Sequence, residues 1–176
     1  MDIPRERLVH RVATAGALAL VVLLVGTTAA IFRPRIAAAL GIVPPPRPAV
    51  YAAGTTIDVP AAWYSEAPHT LVIFARESCV ACQTAAPFLT GLVRNLAGSG
   101  VAVVFAAAGP DVPANRVYAA AMGVPASAFH VSPRVRARAT PTLVLVNQAG
   151  LVVESWEGVG PEARQKAIAA AIGRRR

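Results

Sequence analysis

Cys79 and Cys82 are the only two cysteines of this 176-residue chain, and they form the motif Cys79-Val80-Ala81-Cys82. The apolar run Leu71-Val72-Ile73-Phe74-Ala75 precedes them, and a segment with helical periodicity follows. Two thiols three residues apart on the first turn of a helix can reach each other, and the helix N-terminus favours a thiolate. That is the chemistry of a dithiol–disulfide switch. Two other chemistries use the same residue types. A structural crosslink is one, although a loop this short constrains little of the unfolded chain. Half of a metal site is the other, but it needs two further ligands. The only histidines beyond residue 50 are His69 and His130.

The elements that must hold the pair follow from hydrophobic periodicity. Leu71–Ala75 reads as a buried strand. Val80–Leu96 reads as a helix with Ala85, Phe88, Leu89, Leu92, Val93 and Leu96 on one face, ended by Gly98-Ser99-Gly100. Val101–Phe105 is a second strand, and Pro113–Met122 a helix stopped at Gly123. Residues 126–139 carry no clear period. Leu143–Val146 and Leu151–Trp156 are strands joined by a turn at Gln148-Ala149-Gly150. Pro161–Ile172 is a last helix, with Ala163, Ala167, Ile168, Ala171 and Ile172 inward. The order β-α-β-α-β-β-α implies an α/β domain, its first strands parallel and its last two an antiparallel hairpin.

Three pieces in order resemble the thioredoxin-like superfamily over about Leu71 to Ile172. They are a strand, C-x-x-C and helix; Pro87, five residues past Cys82; and Ala139-Thr140-Pro141-Thr142-Leu143-Val144-Leu145-Val146-Asn147-Gln148-Ala149-Gly150, with Gly158 beyond it. The resemblance implies a central mixed sheet flanked by helices and a thiol–disulfide oxidoreductase with no cofactor beyond its redox-active disulfide, Cys79–Cys82. It makes Cys79 the attacking thiol and Cys82 the resolving thiol. It makes Pro141 a cis-proline against them, and gives substrate contacts to Thr140, Val80 and Ala81. No metal site is expected. The long interval from Cys82 to Pro141, an N-terminal anchor and a Pro-rich spacer are similar to the TlpA-like branch. That branch holds anchored, extracytoplasmic proteins, several of which serve cytochrome c or respiratory-complex maturation.

The chain departs from the family at the residues that tune the dithiol. Ser78 stands in place of the usual Trp, Ile73 where a buried carboxylate is expected, and Val80-Ala81 lacks both Pro and His. The acids nearest in sequence are Glu77, beside the motif, and Asp111, the only one between Cys82 and Pro141. The reading from another class is a redox-inert thioredoxin-fold binding module, or a metallochaperone for metalloprotein assembly.

The rest of the chain addresses location and partners. Hydrophobic residues make up 55% of it, and its mean hydropathy is +0.53. Val12–Phe32 is 21 residues without a charge, which as a helix spans roughly 30 Å, the thickness of a bilayer core. The expected organisation is a stub over 1–11, a transmembrane anchor over 12–32 and a Pro-rich linker over 33–50, followed by the thioredoxin-like domain over 51–176. Cleavage near Thr28-Ala29-Ala30 is the alternative to an anchor. Arg5, Arg7 and Arg11 precede the span, against Arg33 and Arg35 after it. This favours a single-pass protein of the cell (inner) membrane with its domain periplasmic. The net charge of +8 is concentrated early, so that residues 51–176 carry eleven Lys/Arg against seven Asp/Glu. Without a basic stripe interleaved with aromatics, no nucleic-acid partner is expected. The expected partners are proteins with thiols or disulfides and a membrane electron donor or acceptor. Arg134, Arg136 and Arg138 alternate just before Thr140. They form either a solvated, charge-protected edge or a docking strip for an acidic partner.

Overall fold

The computed structural model describes residues 16–24, 50–110, 112–132 and 136–175. The chain separates into two units, Met1–Arg47 and Pro48–Arg176. In the first unit, residues 16–24 form a helix with its apolar side chains exposed. The remainder of the expected anchor over 12–32 lies outside the described residues. So do the stub, all of the linker except Val50, and Asp111 and Arg134. Among the described residues no helix is long and apolar enough to cross a membrane.

The second unit is built on five strands: β1 (His69–Ala75), β2 (Val101–Ala108), β3 (Phe129–Ser132), β4 (Thr142–Asn147) and β5 (Val152–Glu157). Three α-helices accompany them: α1 (Val80–Leu96), α2 (Pro113–Ala121) and α3 (Glu162–Gly173). The strand order is β3-β2-β1-β4-β5. β1, β2 and β3 are parallel, while β4 runs antiparallel to β1 and β5 to β4. The expected parallel start and antiparallel hairpin are therefore present, with one added strand. β3 lies within the stretch that showed no period. It is a four-residue edge with only Phe129 fully buried, so it offers no alternation to read.

β1 is central, and from Thr70 to Ala75 it is buried throughout, which explains its unbroken apolar sequence. Its alternate residues serve two clusters. Leu71, Ile73 and Ala75 join α1, Ala119 of α2, and Ile168 and Ile172 of α3. Val72 and Phe74 face the other way, toward Tyr51 and Ile57. Among the described residues no α-helical side chain belongs to that second cluster. A strap over residues 50–64 covers it instead. The Gly54 N–H donates to the Val152 carbonyl and the Val152 N–H to that of Thr55, both at 2.8 Å, and the Ile57 N–H donates to Gly150 at 2.9 Å. Tyr51 stacks on Phe74 at 5.5 Å.

The last helix differs from its expected face. Ile168, Ala171 and Ile172 are buried, but Ala163 and Ala167 are exposed. Alanine is small enough to sit on either side of a helix, so its spacing is a weak guide to burial. Pro161 caps this helix from outside rather than opening it. The β4–β5 turn needs glycine at 150, where φ is +77° and a Cβ would meet the Tyr64 hydroxyl at 2.5 Å.

Candidate active site

The dithiol sits where β1 hands over to α1. Cys79 is the N-cap residue, with extended backbone, and its Sγ accepts the Cys82 N–H at 3.3 Å. A cap position brings the sulfur against the unpaired amides of the first turn. Cys82, one turn in, is fully buried among the core residues of α1 and β1. Both are free thiols in this structure, and Cys79 is half-buried.

Thr140 arrives from the loop before β4. Its hydroxyl donates to Cys79 Sγ at 3.2 Å, and its carbonyl accepts the Cys79 S–H at 3.3 Å. The backbone of Thr140, to which the resemblance gives a substrate contact, thus has its carbonyl engaged by the thiol, and a thiolate would no longer donate to it. The Thr140–Pro141 bond is cis. Val80, at 78% exposure, presents an apolar side chain to solvent beside Cys79. Ala81 is also exposed.

The two sulfurs are held in different electrostatic states. At Cys79 burial opposes ionisation. Hydrogen bonds from Cys82, from the Thr140 hydroxyl and from the amides of Cys82 and Ala81 outweigh it, and the thiol lies below its ordinary value. At Cys82 burial dominates and the interaction with Cys79 adds to it, pushing the thiol up to about 11. The Arg76 amide and the Thr140 hydroxyl pull the other way. Among the described residues no carboxylate is one of the main influences on Cys82. Ile73 is fully buried beside it in the same cluster. The Glu77 carboxylate takes Gln83 Nε2 at 3.4 Å instead.

Two residues of α2 escaped the sequence reading. The Tyr118 hydroxyl donates to the Cys82 carbonyl at 2.6 Å. Burial, then the neighbouring Cys82 and Cys79, push its phenol up to about 12, so it stays a donor. The buried Asn115 accepts the Glu77 N–H at 2.9 Å and reaches the Pro110 carbonyl at 3.4 Å. These two, one turn apart, tie α2 to the loop that carries the dithiol. The available signal was an Asn and a Tyr at i, i+3 in an alanine-rich helix.

Two residues of the arginine strip are described, and they have different surroundings. Arg136 pairs with Asp58 at 3.1 Å, while Arg138 lines an open cleft of about 520 Å³ with Arg76 and Thr140. His69 and His130 lie on strands, His130 stacked on Trp63 at 4.4 Å. Among the described residues no three His, Cys, Asp or Glu side chains come together to hold a metal.

The fold of this second unit recurs in solved structures. One is a protein from Chlorobium tepidum assigned as the thiol:disulfide interchange protein DsbE. It is 16% identical, with a TM-score of 0.53, over 70% of this chain and 94% of that one. Another, from Bacteroides thetaiotaomicron, is assigned as a protein disulfide isomerase. It is 13% identical, with a TM-score of 0.54, over 71% and 90% of the two chains. The fold is thioredoxin-like. No family model matches the sequence, and no curated protein does.

Proposed function

We propose that this protein is a thiol–disulfide oxidoreductase acting on protein substrates through Cys79 and Cys82. The observation that carries the reading is the inequality of the two sulfurs: one capped by donors and half-exposed, the other buried behind it and held protonated. In the reducing direction the Cys79 thiolate attacks a substrate disulfide. A Cys79–substrate S–S bond forms as the substrate bond breaks, and one substrate sulfur leaves as thiolate. Cys82 then loses its proton and attacks Cys79 Sγ, expelling the second substrate sulfur. The protein is left as the Cys79–Cys82 disulfide and the substrate gains two electrons, its two sulfurs taking up protons equal in number to those the dithiol gave up. The oxidising direction is the reverse.

Cys82 needs no dedicated carboxylate for this. Two of the influences that hold its proton come from Cys79, and they are lost once Cys79 is consumed in the mixed disulfide. The Arg76 amide and Thr140 hydroxyl remain to favour the thiolate.

The reading extends to location. The uncharged 12–32 stretch, of bilayer length, supports a membrane anchor. The arginines before it support an extracytoplasmic domain, with electrons exchanged with a membrane partner and a role like that of the TlpA-like branch in metalloprotein maturation. The test is Cys82→Ser, which removes the resolving thiol and should trap a mixed disulfide with a cellular protein through Cys79. If Cys79→Ser traps equally well, the roles given to the two cysteines are wrong; if no reversible disulfide ever forms, the protein is a thioredoxin-fold binding module and the proposal fails.

A further inference from the structure

The segment that carries the dithiol is held from outside by one helix at both of its ends. Asn115 of α2 accepts the Glu77 N–H at 2.9 Å, just before the cysteines, and the Tyr118 hydroxyl, one turn on, donates to the Cys82 carbonyl at 2.6 Å. The Gln83 side chain closes the span from within, donating to the Glu77 carbonyl at 2.9 Å. α1 holds its own first turn with one hydrogen bond fewer than a regular helix. Pro87 lies inside it, and a proline has no N–H to return to the carbonyl four residues back, here that of Gln83. The carbonyl next to that gap is the one Tyr118 takes. Tyr118 is in turn fixed through its ring, which packs edge-on against Phe105 at 6.0 Å, and Phe105 is fully buried in the core.

We propose that Tyr118 is a positioning residue for the second step of exchange, holding the backbone of Cys82 so that its sulfur attacks Cys79 in line. The proposal rests on the thiol–disulfide reading and assigns a residue to its resolving step. In that step the Cys82 thiolate, its proton passed to solvent, attacks Cys79 Sγ. The Cys79–Cys82 bond forms, the Cys79–substrate bond breaks, and the substrate sulfur leaves as a thiolate that takes up a proton. The attacking sulfur must lie behind the breaking S–S bond, and a shift of about 1 Å in such a geometry can cost about a hundredfold in rate. Cys82 Sγ follows its own backbone, and the carbonyl that Tyr118 holds belongs to that backbone. The first step makes a different demand. There a half-buried Cys79 meets a substrate arriving from solvent, and its sulfur has an anchor outside α2 in the Thr140 hydroxyl. Loss of the Tyr118 hydroxyl therefore weighs on the second step more than on the first.

The experiment uses the reduced full chain in mild detergent, with glutathione disulfide as the probe and Tyr118→Phe as the variant. Phenylalanine keeps the ring against Phe105 and removes only the hydroxyl. Samples are acid-quenched at intervals, and intact mass separates the reduced chain, the chain carrying one glutathione and the chain with its internal disulfide. Growth of the adduct reads the first step, and its decay to the internal disulfide reads the second. The adduct should decay about tenfold more slowly in Tyr118→Phe and build up to a larger share, while its growth slows by less than about twofold. Decay as fast as in the unmodified chain overturns the proposal. So does slowing of both steps by one common factor together with a lower stability in denaturant unfolding, which is the behaviour of a hydroxyl that only supports the fold. In both cases the thiol–disulfide reading stands, because the internal disulfide still forms through the adduct. If the unmodified chain yields neither adduct nor internal disulfide, that reading falls and the role of Tyr118 with it.

Discussion

One face of the sheet is covered by three helices, the other by an irregular strap. On the helical side, α1 carries the two cysteines, while α2 reaches them through Tyr118 and Asn115. On the strap side, residues 50–64 close over Val72 and Phe74 with Tyr51, Ile57 and a few backbone hydrogen bonds to β5 and its turn. The difference separates two jobs. The strap completes a core. The helical side completes a core and also sets the chemistry of two sulfurs, because its elements end where the sheet ends and point their amides and hydroxyls at that place.

The largest effect that can break this division is on the strap. Ile57 is 3% exposed, so Ile57→Ala should cost about 2–5 kcal/mol if the strap is an integral part of the core. Denaturant unfolding measures it, and the alkylation rate of Cys79 should not change. A loss of less than about 1 kcal/mol would reduce the strap to a loose cover. On the helical side, Asn115→Ala leaves the Glu77 N–H and Pro110 carbonyl without this partner. The expected loss is about 1–3 kcal/mol, and here the Cys79 alkylation rate should shift as well, because the loop that places the cysteine is loosened. A stability loss with unchanged thiol reactivity would blur the distinction between the two faces. The smallest and most local effect is at Thr140. Thr140→Val removes the hydroxyl that donates to Cys79 Sγ. Its loss favours the protonated thiol, so the Cys79 titration should move upward, and alkylation near neutral pH should slow severalfold with little change in stability.

The same two faces separate what the sequence could disclose. The helical side was legible. Leu89, Leu92, Val93 and Leu96 repeat at helical spacing and are buried where that spacing puts them, and the motif at 79–82 begins its helix as expected. β1, β2 and the hairpin were read from unbroken apolar runs and a glycine turn. The strap was not legible, because its contribution comes from isolated residues such as Tyr51 and Ile57 with no period between them. β3 was missed for the same reason. At the site, Cys79, Cys82 and Thr140 were named in advance and lie together. Tyr118 and Asn115 were not, since they act on backbone groups that are near only in three dimensions. The arginine strip was legible as charge, but not as contacts: Arg136 is paired across to the strap, and Arg76, which drew no notice in sequence, shares the cleft with Arg138.

The account's central claim is that neighbouring thiols are held in opposite states, one ready to attack and one kept back. It is tested most directly by following the alkylation of each cysteine against pH in the reduced full chain, with mass spectrometry to assign the label. Since the thiolate is the reacting form, each rate rises with pH through that cysteine's own titration. The account predicts a midpoint for Cys79 below the ordinary thiol value of 9.0, and for Cys82 one near 11. Titration of both cysteines together at the ordinary value, or faster reaction at Cys82 than at Cys79, would contradict it.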